Sequence, residues 1–171
     1  MPKKNSATSG LFCGLAFILC IAASPIFASP QAWALRFDGI GPVRVGMNMA
    51  QLNAALKEHF AQDKEEPCFY VDSKRHPGIG FMIQHGRVTR VDVTNRSIST
   101  TEGIRIGDME ARVTKAYGNK LQIEPHHYVD DGHYLTIYNN RYGIRFETEN
   151  GKVTGFYAGD KTAIQYIEGC L

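Results

Sequence analysis

The residues best suited to chemistry lie in one short segment, residues 122–134. It contains three histidines and three acidic residues, which are Glu124, His126, His127, Asp130, Asp131 and His133. Neutral imidazole and carboxylate groups are good ligands for divalent transition metals. One hypothesis is therefore a small-ligand or metal (zinc) binding site formed by His126, His127, His133 and Asp131.

The spacing of these residues also fits a polar surface loop. Neighbouring side chains on a strand point to opposite faces, so His126 and His127 would not converge on one ion there. The segment has no His-Glu-x-x-His helix motif. Asp130, Asp131 and Gly132 form an ordinary turn sequence before a strand. Both interpretations stay open, and no cofactor is predicted.

Tyrosines are concentrated in the second half of the chain. Tyr128, Tyr134 and Tyr138 are candidates for a protein interface, because tyrosine combines a large apolar ring with a polar end. Most of the aromatic residues there also fall at alternating strand positions, which suits a core or a sheet face equally well.

A catalytic set is hard to assemble from this sequence. The serines after residue 34 are Ser73, Ser97 and Ser99, and none lies in a Gly-x-Ser-x-Gly motif. Glu147 and Glu149 alternate with other residues as a solvent-facing strand side does, rather than as the acid pair of a glycosidase. We therefore predict no catalytic residue and no enzyme, and a hydrolase is only the third hypothesis.

The first residues have the order of a secretory signal. Lys3 and Lys4 precede an apolar run over residues 11–23, and a small-residue region ends in Ala32-Trp33-Ala34. We predict a signal peptide over residues 1–34, although cleavage could instead follow Ala28. The apolar run is shorter than the roughly 20 residues that a membrane-spanning helix needs. The expected product has no membrane anchor and is periplasmic or secreted.

Charge limits the classes of partner. The chain has 19 Lys and Arg residues and 17 Asp and Glu residues, and residues 1–34 contain two of the lysines and no acid, which leaves 17 of each. A mature chain with no net charge lacks the basic surface of a nucleic-acid binder. We expect no nucleic-acid partner.

Cysteine usage agrees with an oxidising compartment. Two of the four cysteines fall in the predicted signal peptide, which leaves Cys68 and Cys170. In an exported chain such a pair is typical of one disulfide. Two free thiols are the alternative, and a redox-active pair is disfavoured because there is no Cys-x-x-Cys spacing.

The rest of the chain contains the same pattern twice. Residues 41–47 resemble residues 102–108, and residues 80–91 resemble residues 144–156. Such internal similarity indicates a repeated structural unit. We therefore predict a first repeat over residues 35–96 and a second over residues 97–171, which the disulfide would link to the first.

Each repeat has the same predicted order of elements. Apolar spacing predicts a helix over residues 49–60 that Asn48 caps with Gln51, and a second helix that Asp108 caps. Strands follow, with two-residue hairpin turns at His85-Gly86 and Asn150-Gly151. The predicted fold class is α+β, with one antiparallel sheet and helices packed on one face.

The repeats resemble the β-lactamase-inhibitor-protein fold and the small outer-membrane assembly lipoproteins. The residues that carry the resemblance are Val43, Val45, Gly46, Met47, Asn48, Leu52 and Leu56, with Ile104, Ile106, Gly107, Val113 and Tyr117 in the second copy. The chain departs from those lipoproteins in having Asn48 where they have Thr or Ser, and in lacking a lipidated cysteine. The ending Ile167-Glu168-Gly169-Cys170 also resembles uncharacterised bacterial exported proteins. The resemblance implies an exported protein-binding scaffold.

The leading functional hypothesis is a non-catalytic periplasmic or secreted protein-binding module. An enzyme inhibitor, an immunity protein or an envelope-assembly accessory would each use such a design. The expected partner is another envelope or secreted protein. The alternative is the small-ligand or zinc-binding protein with the site described above.

Overall fold

The computed structural model describes residue 1 and residues 33–61 and 66–170. The predicted signal peptide, residues 1–34, therefore lies almost wholly outside the described residues. Neither of the two described α-helices has the length and apolar character needed to cross a bilayer.

A small sheet and a short helix open the described chain. The three strands pair in the order β1-β2-β3, with β1 at Leu35–Arg36, β2 at Gly39–Ile40 and β3 at Val43–Arg44. Helix α1 follows at Met49–Leu56. The predicted capping box is confirmed, because the Asn48 side chain accepts from the Gln51 backbone N–H and the Gln51 side chain accepts from the Asn48 N–H.

A seven-stranded antiparallel sheet makes up most of the molecule. Its strands are β4 (Cys68–Asp72), β5 (Ile79–Gln84), β6 (Arg87–Val93), β7 (Gln122–Pro125), β8 (His133–Asn139), β9 (Tyr142–Glu149) and β10 (Lys152–Asp160). They lie in the order β4-β5-β6-β10-β9-β8-β7. Helix α2, at Glu110–Tyr117, comes between β6 and β7 in the chain. Short 3₁₀ helices occupy Gly118–Lys120 and Ala163–Gln165.

The predicted α+β fold class is wrong. The described chain is mostly β-structure in two sheets, and its two α-helices have eight residues each, which is too short to form a helical layer on a sheet face. The helix predicted over residues 49–60 stops at Leu56, because Lys57 adopts a left-handed conformation with φ of 54°. The helical spacing of apolar residues in the sequence therefore extends beyond the end of the helix itself.

The start of α2 also differs from the prediction. Its N-cap residue is Met109, which makes no side-chain capping bond. The Asp108 carboxylate instead accepts a hydrogen bond from the Arg105 backbone N–H at 2.7 Å and pairs with Arg112 at 3.0 Å. Asp108 thus stabilises the turn before the helix.

One continuous apolar core lies on one face of the large sheet. Its largest fully buried side chains include Phe81, Phe146, Phe156, Leu35, Ile40 and Leu52. They come from both sheets and from α1, so the small sheet and α1 share the core of the large sheet. Burial of this apolar surface is the main stabilising term of the fold.

The predicted disulfide between Cys68 and Cys170 is confirmed. The two Cα atoms lie 5.4 Å apart, across a sequence separation of 102 residues. Since Cys68 is the first residue of the edge strand β4, the bond ties residue 170 to one edge of the large sheet.

Candidate functional site

The face of the large sheet that points away from the core carries polar and aromatic side chains. Side chains alternate along a strand, so residues such as Arg90 and Asp92 point outward while Val91 and Val93 point into the core. Register places Tyr157 between Asp92 on one neighbouring strand and Arg145 on the other. We call this side of the sheet the outer face.

A segment near the end of the chain crosses the outer face. We call residues 163–170 the strap. Two buried arginines of the sheet hold it, since Arg90 donates to the backbone oxygens of Ala163 at 3.2 Å and Tyr166 at 2.7 Å. Arg145 donates to the Gln165 side chain at 2.7 Å. With the disulfide at residue 170, the strap is fixed at three points.

A cleft of about 310 Å³ lies beside the strap, and we call it the outer cleft. Its wall includes Asp92, Glu147 and Tyr157 from the sheet, and its edge is formed by the strap residues Ile167, Glu168 and Gly169. Gly155, which has no side chain, lies opposite Glu147 in the sheet register and leaves space there.

Charge in the outer cleft centres on an ion pair. The Arg90 guanidinium lies 2.9 Å from the Asp92 carboxylate and 4.2 Å from the centre of the Tyr157 ring. Burial raises the pKa of Asp92, against the lowering effect of Arg90, and the nearby Glu147 carboxylate raises it further. Burial also raises the pKa of Tyr70, whose hydroxyl accepts from Arg90, to about 12. The cleft therefore disfavours additional negative charge.

A second depression, of about 370 Å³, lies on the other part of the strap, and we call it the strap groove. Its lining includes His127 and Tyr128 from the loop before β8, together with Tyr166 and Ile167 from the strap. Tyr128 is 59% exposed, Tyr166 40% and Ile167 38%. Three large apolar side chains are thus open to solvent around one groove.

The predicted ligand histidines do not come together. The His126 ring stacks on Tyr134 at 4.4 Å, and the His127 ring lies edge-on to Tyr128 at 4.6 Å. His133 is next to Tyr134 on β8 and points to the opposite face, where its Nδ1 lies 2.9 Å from a Glu110 carboxylate oxygen.

Asp131 belongs to the exposed turn before β8. Its backbone oxygen accepts from the Asn150 N–H at 3.2 Å. Across residues 33–61 and 66–170, no group of three or more His, Cys, Asp or Glu side chains is arranged to hold a metal ion. The zinc hypothesis therefore gains no geometric support from this region.

The predicted interface tyrosines have different environments. Tyr128 is exposed in the strap groove. Tyr134 is buried, with the Arg145 guanidinium 5.1 Å from its ring centre. Tyr138 is half-buried, and its hydroxyl accepts a hydrogen bond from the Gln165 side chain of the strap. Of the three, Tyr128 has the surface position of an interface residue.

Sequence reasoning missed the outer cleft. Glu147 had been interpreted as part of a solvent-facing strand side, yet it is half-buried in the cleft wall. The available signal was alternation of charged and apolar residues in Arg90 to Val93 and again in Arg145 to Glu147. Alternation identifies the outer face, but it does not reveal that the strap covers part of that face.

No protein-family model matches this chain. No curated protein matches it either. An extracellular protein containing an SCP domain from Bacillus anthracis is similar in structure, with a TM-score of 0.51 and 9% identity over 71% of this chain and 45% of that protein. A DUF4309 family protein from Bacillus subtilis has a TM-score of 0.48 and 11% identity over 75% of this chain and 88% of that one.

These comparisons concern the fold alone. At 9% identity, the first match shows a similar fold over 71% of this chain and nothing about its chemistry. The present chain spans less than half of that protein's length. The first protein is not described as a β-lactamase inhibitor or an assembly lipoprotein, and the resemblance to those families stays a prediction.

Proposed function

We propose that this protein is an exported, non-catalytic module that binds another envelope or secreted protein through the strap groove. The observation that carries the proposal is the grouping of Tyr128, Tyr166 and Ile167, all well exposed, around one groove. Grouped exposed apolar side chains mark interaction sites more often than scattered ones do. Tyrosine is among the residues enriched at the energetic centres of protein interfaces.

The contacts that anchor the strap to the sheet support the proposal. Arg90, Arg145 and the disulfide at Cys170 fix the segment that carries Tyr166 and Ile167. A preorganised surface loses less conformational freedom when a partner binds. A rigid aromatic surface of this kind suits protein recognition better than a mobile loop would.

Export is supported by the sequence and by the disulfide. The signal-like order of residues 1–34 and the oxidised Cys68–Cys170 pair both fit a periplasmic or extracellular location. Inhibition, immunity and envelope assembly all remain within the proposal, since each needs one specific protein partner.

Site-specific photocrosslinking in the producing organism tests the proposal. A benzophenone amino acid at position 128 or 167 should give one discrete protein adduct. The matched control is position 109, because Met109 is a 52% exposed apolar residue that does not line the groove. The partner is identified by mass spectrometry and purified for binding measurements.

The binding measurements decide the outcome. Tyr128→Ala and Tyr166→Ala should each weaken binding by about tenfold or more, as truncation of a central aromatic residue does. Met109→Ala should leave the affinity unchanged. Equal adducts at positions 109 and 128, or substrate turnover by the purified protein without any partner, would refute the proposal.

A further inference from the structure

The outer cleft and the strap groove share one wall. Ile167, Glu168 and Gly169 line both depressions. A protein that covers the groove would therefore lie next to the cleft, with only the strap between them. A long side chain from such a protein could enter the cleft without movement of the sheet.

The cleft has more acidic than basic side chains. Asp92, Glu147 and Glu168 line it, and Arg90 is the one cation among the lining residues. Arg90 is paired with Asp92, whereas neither Glu147 nor Glu168 makes an ion pair within the described chain. The neighbouring Arg145 lies 3.4 Å from Glu124 and donates to Thr136 and Gln165. Two carboxylates of the cleft thus lack a counter-charge.

An independent feature of the cleft is the Tyr157 hydroxyl. Tyr157 lines the cleft and is 5% exposed, yet its hydroxyl makes no hydrogen bond of ordinary geometry. Burial raises the pKa of this hydroxyl most, and the Glu147 carboxylate, which lies within its reach, raises the pKa further. The hydroxyl oxygen is closed off from solvent, so a cation in the cleft would meet the Glu147 carboxylate next to it rather than the hydroxyl itself.

The aromatic rings complete the recognition chemistry. Tyr70 and Tyr157 both line the cleft. Tyrosine rings attract cations through their electron-rich faces, and Arg90 already occupies such a position over Tyr157. Carboxylates and tyrosine rings together suit an ammonium or guanidinium group.

We propose that the outer cleft receives a lysine or arginine side chain of the protein partner, between Glu147, Glu168 and Tyr157. This inference rests on the proposed function, because the basic residue belongs to the protein that docks on the strap groove. The groove supplies apolar contact area, and the cleft selects partners with a basic residue at one position.

Small model compounds test the cleft without the partner. N-acetyl-lysine methylamide and N-acetyl-arginine methylamide are titrated into the isotope-labelled protein, with N-acetyl-norleucine methylamide as the uncharged match for lysine. The basic compounds should shift the amide signals of Gly155 and Gly169 with a Kd on the order of a few mM. The norleucine compound should cause no such shifts.

Charge-neutral variants locate the binding. Glu147→Gln and Glu168→Gln should each weaken binding of the basic compounds by at least about threefold. The control is Glu149→Gln, which removes an exposed carboxylate two residues further along β9 that does not line the cleft. Thermal unfolding verifies that each variant is folded. An equal loss with all three variants, or equal binding of norleucine, would overturn the cleft proposal.

The two proposals fail in different ways. If the basic compounds bind as expected but no crosslinked partner is found, the cleft site stands and the protein-binding function fails. If the partner crosslinks at position 128 and its affinity is the same for wild type, Glu147→Gln and Glu168→Gln, the function stands and the cleft inference is wrong.

Discussion

The turn before α1 and the turn before α2 have the same backbone and different side-chain support. Gly46 and Gly107 have φ values of 93° and 95°. Each donates its N–H to a valine oxygen at 2.7 Å, to Val88 in the first turn and to Val153 in the second. Each valine N–H returns a bond at 2.9 Å, to the oxygen of Met47 or of Asp108. The predicted division into two repeats stays a prediction, which these paired contacts support.

The support around the two turns differs. Helix α1 has its local capping box, whereas α2 has none. Glu110 of α2 instead accepts a hydrogen bond from the Thr148 hydroxyl and contacts His133 at 2.9 Å, so residues distant in sequence fix the helix. The comparison teaches that matching backbone turns can lead into helices whose first turns are held differently, α1 by a local capping box and α2 by long-range polar contacts of Glu110. Three predictions test this difference, after one that compares the two edges of the large sheet.

The largest expected effect comes from removing the disulfide at one edge of the large sheet. The edge strand β4 is tied to the strap by the disulfide, while the other edge strand, β7, has no such bond. Replacing Cys68 and Cys170 together by Ser should lower the free energy of unfolding by about 4 kcal/mol, since a loop of this length is no longer closed. Urea unfolding measures the loss, and wild type in a reductant is the control. A change below about 1 kcal/mol would show that the bond adds little to the stability of the sheet.

The second prediction concerns the two turn glycines. Gly46→Ala and Gly107→Ala should each lower stability by about 1–3 kcal/mol, because both positions have a positive φ that alanine rarely adopts. Nothing lies within 4 Å of an added Cβ at either position, so backbone strain is the cause. Denaturant melts of both variants should give equal losses. Clearly unequal losses would break the equivalence of the two turns.

The third prediction concerns Glu110. Burial alone would raise its pKa, but the hydrogen bond from Thr148 and the contact with His133 lower it overall. A lowered folded pKa stabilises the protein above the unfolded pKa, and this stabilisation is lost as the pH falls through the folded value. Glu110→Gln should cost about 1–2 kcal/mol at neutral pH and should reduce the loss of stability below about pH 4.5.

Unfolding experiments across pH 3–7 measure this effect. Glu102→Gln is a suitable comparison, since Glu102 accepts from the Tyr117 hydroxyl near the other end of α2. Identical pH profiles for wild type and Glu110→Gln would show that the long-range contacts do not stabilise α2.

The smallest effects are expected at the helix caps. Asn48→Ala should cost about 1 kcal/mol, as the loss of an N-cap does. Met109→Asn should gain up to about 1 kcal/mol, because it places a capping side chain where α2 has none. Thermal unfolding of the two variants and of the wild type measures both changes in stability. A loss in both would show that the α2 turn cannot accept a local cap.

The sequence predicted the features that depend on neighbouring residues. His85 and Asn150 have φ values of 49° and 50°, and each is followed by a glycine with positive φ, so both predicted hairpin turns form. The Asn48 cap and the disulfide are also confirmed. These signals are strong because few residue types satisfy a positive φ, a capping bond or an oxidised pair.

Features that depend on long-range packing could not be predicted from the sequence. Leu56 and Phe60 have helical spacing, but the helix ends between them. The predicted fold class was wrong because residues with helical apolar spacing were expected to form longer helices than the chain contains. The outer cleft requires that residue 168 lies near residue 147, and no local pattern of residues predicts that approach.

The disulfide also determines what a single cut in the chain can do. All seven strands of the large sheet lie between Cys68 and Cys170, so the bond closes them into one covalent ring. A protease that cleaves once within that ring, for example in the exposed loop at residues 127–131, leaves both pieces covalently joined. Sheet, strap and cleft are therefore protected from the loss of a fragment after a single cut.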